Sequence, residues 1–298
     1  MKILCVGQSA YDITLPISGY PEENRKYKIK ESYECGGGSC NNAAYLLGMW
    51  GCDVYLASSI GKDEYGKKIK EELKEVNVNT DYFEELDIHT TTSYIINNLE
   101  NGSRTIITNK SPLMHFSDEK NIDLKADVLL FDGNDYEMSM KVIKNNPDAI
   151  KIIDAGSLKE GTVKLAKECD YVVCSNDFAK DYTKIYFKYS EKDKIKEVYD
   201  LIGKDFNGKL VMTLESMGSL TKIKDKFFLI PSIKVDSVDS TGAGDIYHGA
   251  FTYFISKGYS LLETLYYSNI TGALSVTKIG SKASMPKLDE VIKYHELW

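Results

Sequence analysis

Short apolar runs at 3–6, 54–60, 128–132, 150–154, 171–174 and 210–214, each bounded by Gly, Asp or Ser, predict buried strands. Between them, segments 42–49, 65–76, 138–145 and 161–168 carry apolar residues at helical spacing and predict amphipathic helices. Strand-helix alternation of this kind implies a mainly parallel sheet with helices on both faces, which binds ligands at the C-terminal ends of its strands. Two segments break the alternation. Residues 13–35 contain Pro16, Gly19 and Pro21 and then the two-sided run 26–33, which predicts an exposed strand. Residues 90–108 predict a hairpin around Asn101-Gly102, a favoured turn pair. Together these insertions, at about 13–35 and 88–108, predict a small β-lid on a single α/β domain spanning 1–298. Residues 187–200 read as a charged helix, and no internal repeat interrupts the chain.

Composition narrows the classes without naming one. The 298 residues are 43% hydrophobic and 27% charged, ordinary for a globular protein, and no apolar run approaches the ~18 residues of a membrane span. The N-terminal run is too short for a secretory signal and reads as a first strand, so a cytoplasmic location is expected. Cysteines at 5, 35, 40, 52, 169 and 174 form no CxxC pair and lie away from His89, His115, His248 and His295, which predicts free thiols and no structural zinc. A formal charge of −7, with basic residues interleaved among acidic ones, argues against a nucleic-acid surface. Any phosphate must be held locally.

The most informative stretch is Asp239-Ser240-Thr241-Gly242-Ala243-Gly244-Asp245, followed by an apolar and aromatic run, 246–255, suited to a buried helix. Gly242 and Gly244 have no side chains to screen the backbone, so the N–H groups of 242–244 can converge on an anion at the helix start. Asp245 stands where it could take a proton from an attacking hydroxyl while those amides offset charge on a transferred phosphoryl group. For Gly-x-Gly-Asp alone, a plain helix cap explains the pattern equally well. The longer string closely resembles the C-terminal signature of the ribokinase-like (PfkB) family of sugar kinases.

The resemblance extends over nearly the whole chain. Gly37-Gly38-Ser39-Cys40-Asn41-Asn42-Ala43-Ala44 is similar to the family's first signature. It implies that Gly37, Gly38 and Asn42 meet the sugar, with Asn41 as a one-residue register alternative. Asp12 matches the family aspartate that accepts hydrogen bonds from sugar hydroxyls. Gly61–Gly66 is similar to the family's Gly-x-Asp-x-x-Gly stretch; with Lys67-Lys68 it falls one residue short of a Walker A loop, because Lys68 stands where a hydroxyl is needed. On the nucleotide side the resemblance implies Thr213, Gly218, Asn176 and Asn269 as neighbours of ATP, along with Gly242 and Gly244. Two departures stand out: Glu215 replaces a family glycine, and Ala179 removes the carboxylate of Asn-x-x-Glu, leaving Asp177 as a substitute.

What the resemblance implies is a three-layer α/β/α sandwich with a mainly parallel central sheet and a small β-sheet lid. The activity implied is transfer of the γ-phosphoryl of Mg-ATP to a hydroxyl of a ribose- or fructose-type sugar. A nucleoside kinase, or a silent sugar- and nucleotide-binding sensor, are the alternatives. Potassium activation is also implied, with Asp239, Ser275, Lys278, Gly280 and Ser284 around the cation. Unpaired lid edges predict a homodimer through the lid strands. His248 reads as a core or supporting residue three positions past Asp245, and Arg104 as solvent-facing from the hairpin, with an anionic substituent as its alternative role.

Overall fold

The computed structural model describes residues 1–294, so His295 lies outside the described residues. The main sheet contains β1 (Lys2–Val6), β4 (Asp53–Ala57), β9 (Val128–Phe131), β10 (Ile150–Ala155), β11 (Tyr171–Ser175), β12 (Lys209–Thr213), β13 (Ser219–Ile223) and β14 (Lys226–Ile230). Its order is β14-β13-β12-β11-β10-β9-β1-β4; pairing is parallel from β12 through β4 and antiparallel across β13 and β14. The chain runs from β1 outward to β4 and later returns to β9 on the other side of β1, a switch in direction that opens a crevice at the C-terminal strand ends.

Side chains of each strand alternate between two cores, which is why the short apolar runs are buried on both faces. Ile3, Cys5, Val54, Leu56, Val128 and Leu130 meet helices α1 (Ser39–Met49), α2 (Glu64–Glu75), α7 (Ala243–Ser256), α8 (Leu261–Leu274) and α9 (Leu288–Ile292). Leu4, Val6, Leu129, Phe131 and Ile153 meet α3 (Tyr136–Asn145), α4 (Glu160–Ala166), α5 (Asn176–Thr183) and α6 (Lys192–Gly203). The result is the expected three-layer sandwich. No helix among the described residues is long and apolar enough to cross a membrane.

A second, four-stranded sheet caps the crevice in the order β3 (Tyr33–Gly37), β2 (Ala10–Ile17), β7 (Thr92–Asn98), β8 (Arg104–Asn109). A two-stranded sheet joins β5 (Ser59–Gly61) to β6 (Glu84–Leu86). The expected hairpin is β7-β8. Three details differ from the sequence reading. Of the run 26–33 only Tyr33, the first residue of β3, is in a strand: 18–32 lack strand structure and most of those side chains are exposed, because no neighbouring edge pairs with them. The run 54–60 splits at Ser58 into β4 and β5, which join different sheets. The β13-β14 hairpin turns through Lys224 and Asp225 at φ 47° and 63°, a left-handed pair lacking the Asn-Gly signal that would have announced it. Helix α2 begins at Asp63, whose carboxylate accepts from the Gly66 amide, so 61–68 is a capped helix start.

Candidate functional site

Helices α1 and α7 meet almost N-terminus to N-terminus beneath the lid. They approach closely because Gly249 of α7 has no Cβ; one built there would lie 3.0 Å from the Ala43 carbonyl of α1. Near this contact, Asn42 Nδ2 donates to Asp245 Oδ2 at 2.8 Å. Its neighbour Asn41 turns away and donates to Ser9 Oγ at 3.3 Å. Of the two registers left open by the sequence, Asn42 is the one beside Asp245.

The start of α7 has an open run of amides. No side chain caps the helix, and Gly242 sits in the left-handed region at φ 74°, where a Cβ would also lie 2.8 Å from Ser281 Cβ. The Ala243 amide makes only a long 3.4 Å contact to Ser240 O. At Gly244 a Cβ would meet nothing within 4 Å. The first N–H groups of a helix lack intrahelical partners and carry the positive end of its dipole. A half-buried carboxylate at Asp245 therefore borders first-turn amides that no side chain caps, a combination suited to holding an anion beside a base.

Asp12, buried on the lid strand β2, faces this pair. A Cβ at Gly37 would fall 1.9 Å from Asp12 Oδ2, and one at Gly38, held at φ 96°, would fall 2.5 Å from Gln8 O, so both glycines are dictated by close packing. Burial pushes the Asp12 carboxyl up to about 7; a hydrogen bond with the Ser93 hydroxyl opposes the rise and the charge on Asp245 adds to it. Burial also raises Asp245, against the Asn42 hydrogen bond, the charges of His248 and Arg104 and a hydrogen bond with Ser39. Under Asp245 lies Asp154, pushed up to about 6 by burial, with His248 opposing. His248 is buried, its Nδ1 lying 2.6 Å from Gly244 O and 3.3 Å from Asp154 Oδ2, and its Nε2 3.2 Å from Val173 O. It acts as a strut under the first turn of α7. Sequence reasoning missed Ser39, Ser93 and Asp154; Arg104 is exposed on the hairpin, as expected, and its Nη1 also donates to Ser240 Oγ at 2.5 Å.

The nucleotide-side residues cluster at the ends of β11 and β12. Asn176 Nδ2 donates to Tyr189 Oη at 3.1 Å, while its buried Oδ1 has no partner. Tyr189 also bonds to Glu215, and burial together with that carboxylate pushes its phenol up. Glu215 holds φ 51°, a conformation that costs glycine less. Ala179 is fully buried in the core and Asp177 is exposed. Thr213 Oγ1 reaches Cys174 O at 3.4 Å, and Gly218, at φ 98°, lets the chain pass where a Cβ would lie 2.0 Å from Ile230 O. Asn269 is spent within the protein: its Oδ1 accepts from Ser219 Oγ and its Nδ2 donates to Ile230 O, so it braces this wall.

At the loop expected to hold a monovalent cation, Asp239 is buried. Its Oδ1 accepts from Thr241 and its Oδ2 from the Gly280 amide, so the carboxylate staples the two loops together. Ser275 Oγ donates to Gly272 O and Ser284 Oγ to Ser281 O, while the Lys278 side chain is exposed.

The pfkB family carbohydrate kinase pattern matches residues 1–288. A nucleoside kinase from Methanocaldococcus jannaschii is 25% identical, over 98% of this chain and 96% of that protein. A Bacillus subtilis ribokinase is 26% identical, over 98% of each. A solved Arabidopsis thaliana ribokinase, complexed with ribose and ATP, superposes with a TM-score of 0.82 at 23% identity, over 98% of this chain and 97% of that one. With the family pattern running through all but the last few residues, the chain belongs to the pfkB family of carbohydrate kinases and is a phosphotransferase acting on an alcohol.

Proposed function

We propose that the protein transfers the γ-phosphoryl group of Mg-ATP to a hydroxyl of a small sugar. The observation that carries this reading is the Asp245 carboxylate, held by Asn42 at 2.8 Å in the uncapped first turn of a 14-residue helix. Asp12 orients the sugar by accepting from its hydroxyls. Asp245 takes the proton of the attacking hydroxyl; its raised affinity for protons suits a base that must accept one in passing. The amides of 242–244 stabilise charge on the group in flight without reorganising. The lid excludes water that would compete as acceptor.

Magnesium bound with ATP neutralises phosphate charge. The residues present fit it: the Asn176 Oδ1 is a buried oxygen lacking a partner, and the Glu215 carboxylate stands one tyrosine hydroxyl away. Asn176, Asp177 and Glu215 would organise its water shell. Potassium would sit against the stapled 239 and 275–284 loops through their carbonyls. ATP as donor and a set of free thiols both suit the cytoplasm.

Purified protein given ATP, magnesium and a panel of ribose, fructose, sugar phosphates and nucleosides is expected to release ADP only when an acceptor is present. Absence of acceptor-dependent release across the panel would overturn the reading. We also propose that two copies meet through their lids: β8 is an edge strand with Ile106 and Ile107 48% and 58% exposed. Sedimentation at micromolar concentration is expected to give a dimer; a monomer alone would remove that proposal.

A further inference from the structure

Behind the glycines that face the acceptor, an ion pair is drawn out of water. Lys282 Nζ lies 2.7 Å from Glu72 Oε2, with the two side chains only 8% and 25% exposed. It also sits over the Tyr45 ring, 4.5 Å from the centroid. The same Glu72 oxygen accepts from the Gly36 amide at 2.8 Å. Strand β3 is an edge of the lid sheet, so this amide is a donor that no strand takes up. A Cβ on Gly36 would fall 2.7 Å from Lys282 Nζ, and one on Gly37 would fall 1.9 Å from Asp12 Oδ2. The ion pair and Asp12 therefore press on successive residues of β3 from opposite faces.

The loop that carries Lys282 also touches the start of α7. Its Gly280 amide donates to Asp239, and Ser281 occupies the space that a Cβ on Gly242 would need. Ser281 Oγ lies 3.6 Å from Cys35 Sγ on β3. One short loop thus runs from the α7 amides to the acceptor-side glycines, and Lys282 is where it is fastened to α2. A lysine and a carboxylate withdrawn from water are seldom more stabilising than an apolar pair of similar volume, so what this pair supplies is register and charge.

Resting on the reading of Asp12 as the residue that orients the acceptor, we propose that Lys282 and Glu72 are positioning residues for the acceptor site. Their pair fixes Gly36, Gly37 and Gly38 against Asp12 and keeps two opposed charges balanced behind it. The charged and titratable groups facing Asp12 are Asp245 from α7, Cys35 across the β2-β3 ladder, Lys282 from the loop and Glu72 from α2. Burial does most to raise the Asp12 carboxyl; Lys282 favours its ionised form and Glu72 opposes it. Removing either partner breaks the same ion pair but leaves the opposite charge behind. A purely structural clasp would respond alike to both losses.

The test follows the Asp12 carboxyl by carbon NMR on aspartate-labelled protein, assigned with Asp12→Asn, alongside acceptor kinetics against pH. The proteins compared are wild type, Lys282→Met, Lys282→Arg and Glu72→Gln. Methionine keeps an apolar stem against Tyr45, and glutamine keeps an oxygen for the Gly36 amide. The Asp12 midpoint is expected to rise by about half a pH unit or more in Lys282→Met and to fall by about as much in Glu72→Gln. Lys282→Arg keeps the charge and should titrate close to wild type. Both broken pairs are expected to raise acceptor KM about tenfold, with kcat and ATP KM within about twofold, because what is lost is placement of the acceptor. Midpoints that stay put or move the same way in the folded methionine and glutamine variants would overturn the inference, and so would an unchanged acceptor KM. Should Lys282→Met fail to fold, the direction of the shift in Glu72→Gln decides alone. Absence of turnover with every acceptor in wild type would sink the kinase reading, while the NMR midpoints still decide whether the pair acts on Asp12.

Discussion

Asp245→Asn is expected to lower kcat by about three orders of magnitude, within the range of roughly 10²–10⁴ that a positioned general base contributes. ATP affinity is expected to stay within about twofold. The substitution preserves shape and keeps an oxygen that can accept from Asn42 Nδ2, now at 2.8 Å from the carboxylate, so the α1-α7 contact survives. What disappears is the site for the hydroxyl proton. Removing a buried charge that Asp12 and Asp154 both feel also lets those carboxyls ionise more readily, so folding stability should not fall. A steady-state assay with a nucleotide titration distinguishes the outcomes: retained turnover would refute the role of Asp245 as base, and lost ATP binding would place its role elsewhere.

Asp12→Asn is expected to lower kcat/KM for the acceptor about a hundredfold while making the protein more stable above neutral pH. The first effect follows from the loss of charged hydrogen bonds to substrate hydroxyls, each worth about 1.5–3 kcal/mol. The second follows from the raised carboxyl. Because the folded value is about 7 against 3.8 when exposed, the folded protein binds the proton more tightly. The resulting stability is fully present below about pH 4 and is lost as pH rises through 7, by at most about 4 kcal/mol. Asparagine has no charge to bury, so the variant should melt higher than wild type at pH 8, show a gain less than half as large at pH 5, and show little gain at pH 3.5. Wild-type acceptor KM should likewise fall as pH rises from 6 to 8 and Asp12 ionises. Equal melting temperatures at pH 8 would show that Asp12 is not strained by burial.

Much of the fold was legible because a two-faced parallel sheet forces compact apolar runs bounded by turn residues, and 3–6 or 128–132 have no other plausible use. The pairing of Asn42 with Asp245 was legible only through two separate motifs, since they stand 203 positions apart in the chain. Contacts without a motif stayed hidden. Ser93 meets Asp12, and Glu215 meets Tyr189, through chain folding that leaves no local pattern in a serine or a tyrosine. The strand assigned to 26–33 failed for the opposite reason: its β-branched and aromatic residues looked suitable, but a strand needs an edge to pair with. Arg104 is solvent-exposed as the hairpin suggested, but nothing local signals its bond to Ser240 in the loop that the hairpin tip touches.

If the amides at the start of α7 hold the phosphoryl group in flight, as proposed, Gly244→Ala should disturb that hold with little disturbance to the fold. An added methyl at 244 meets nothing within 4 Å of the protein and suits a helix, so melting temperature should hold or rise slightly. Calorimetry of ADP with aluminium fluoride and an acceptor, a mimic of the transferring group, should show binding weakened tenfold or more in this variant, with ADP alone bound as in wild type. Undiminished binding of the mimic would show that these amides do not hold the phosphoryl group.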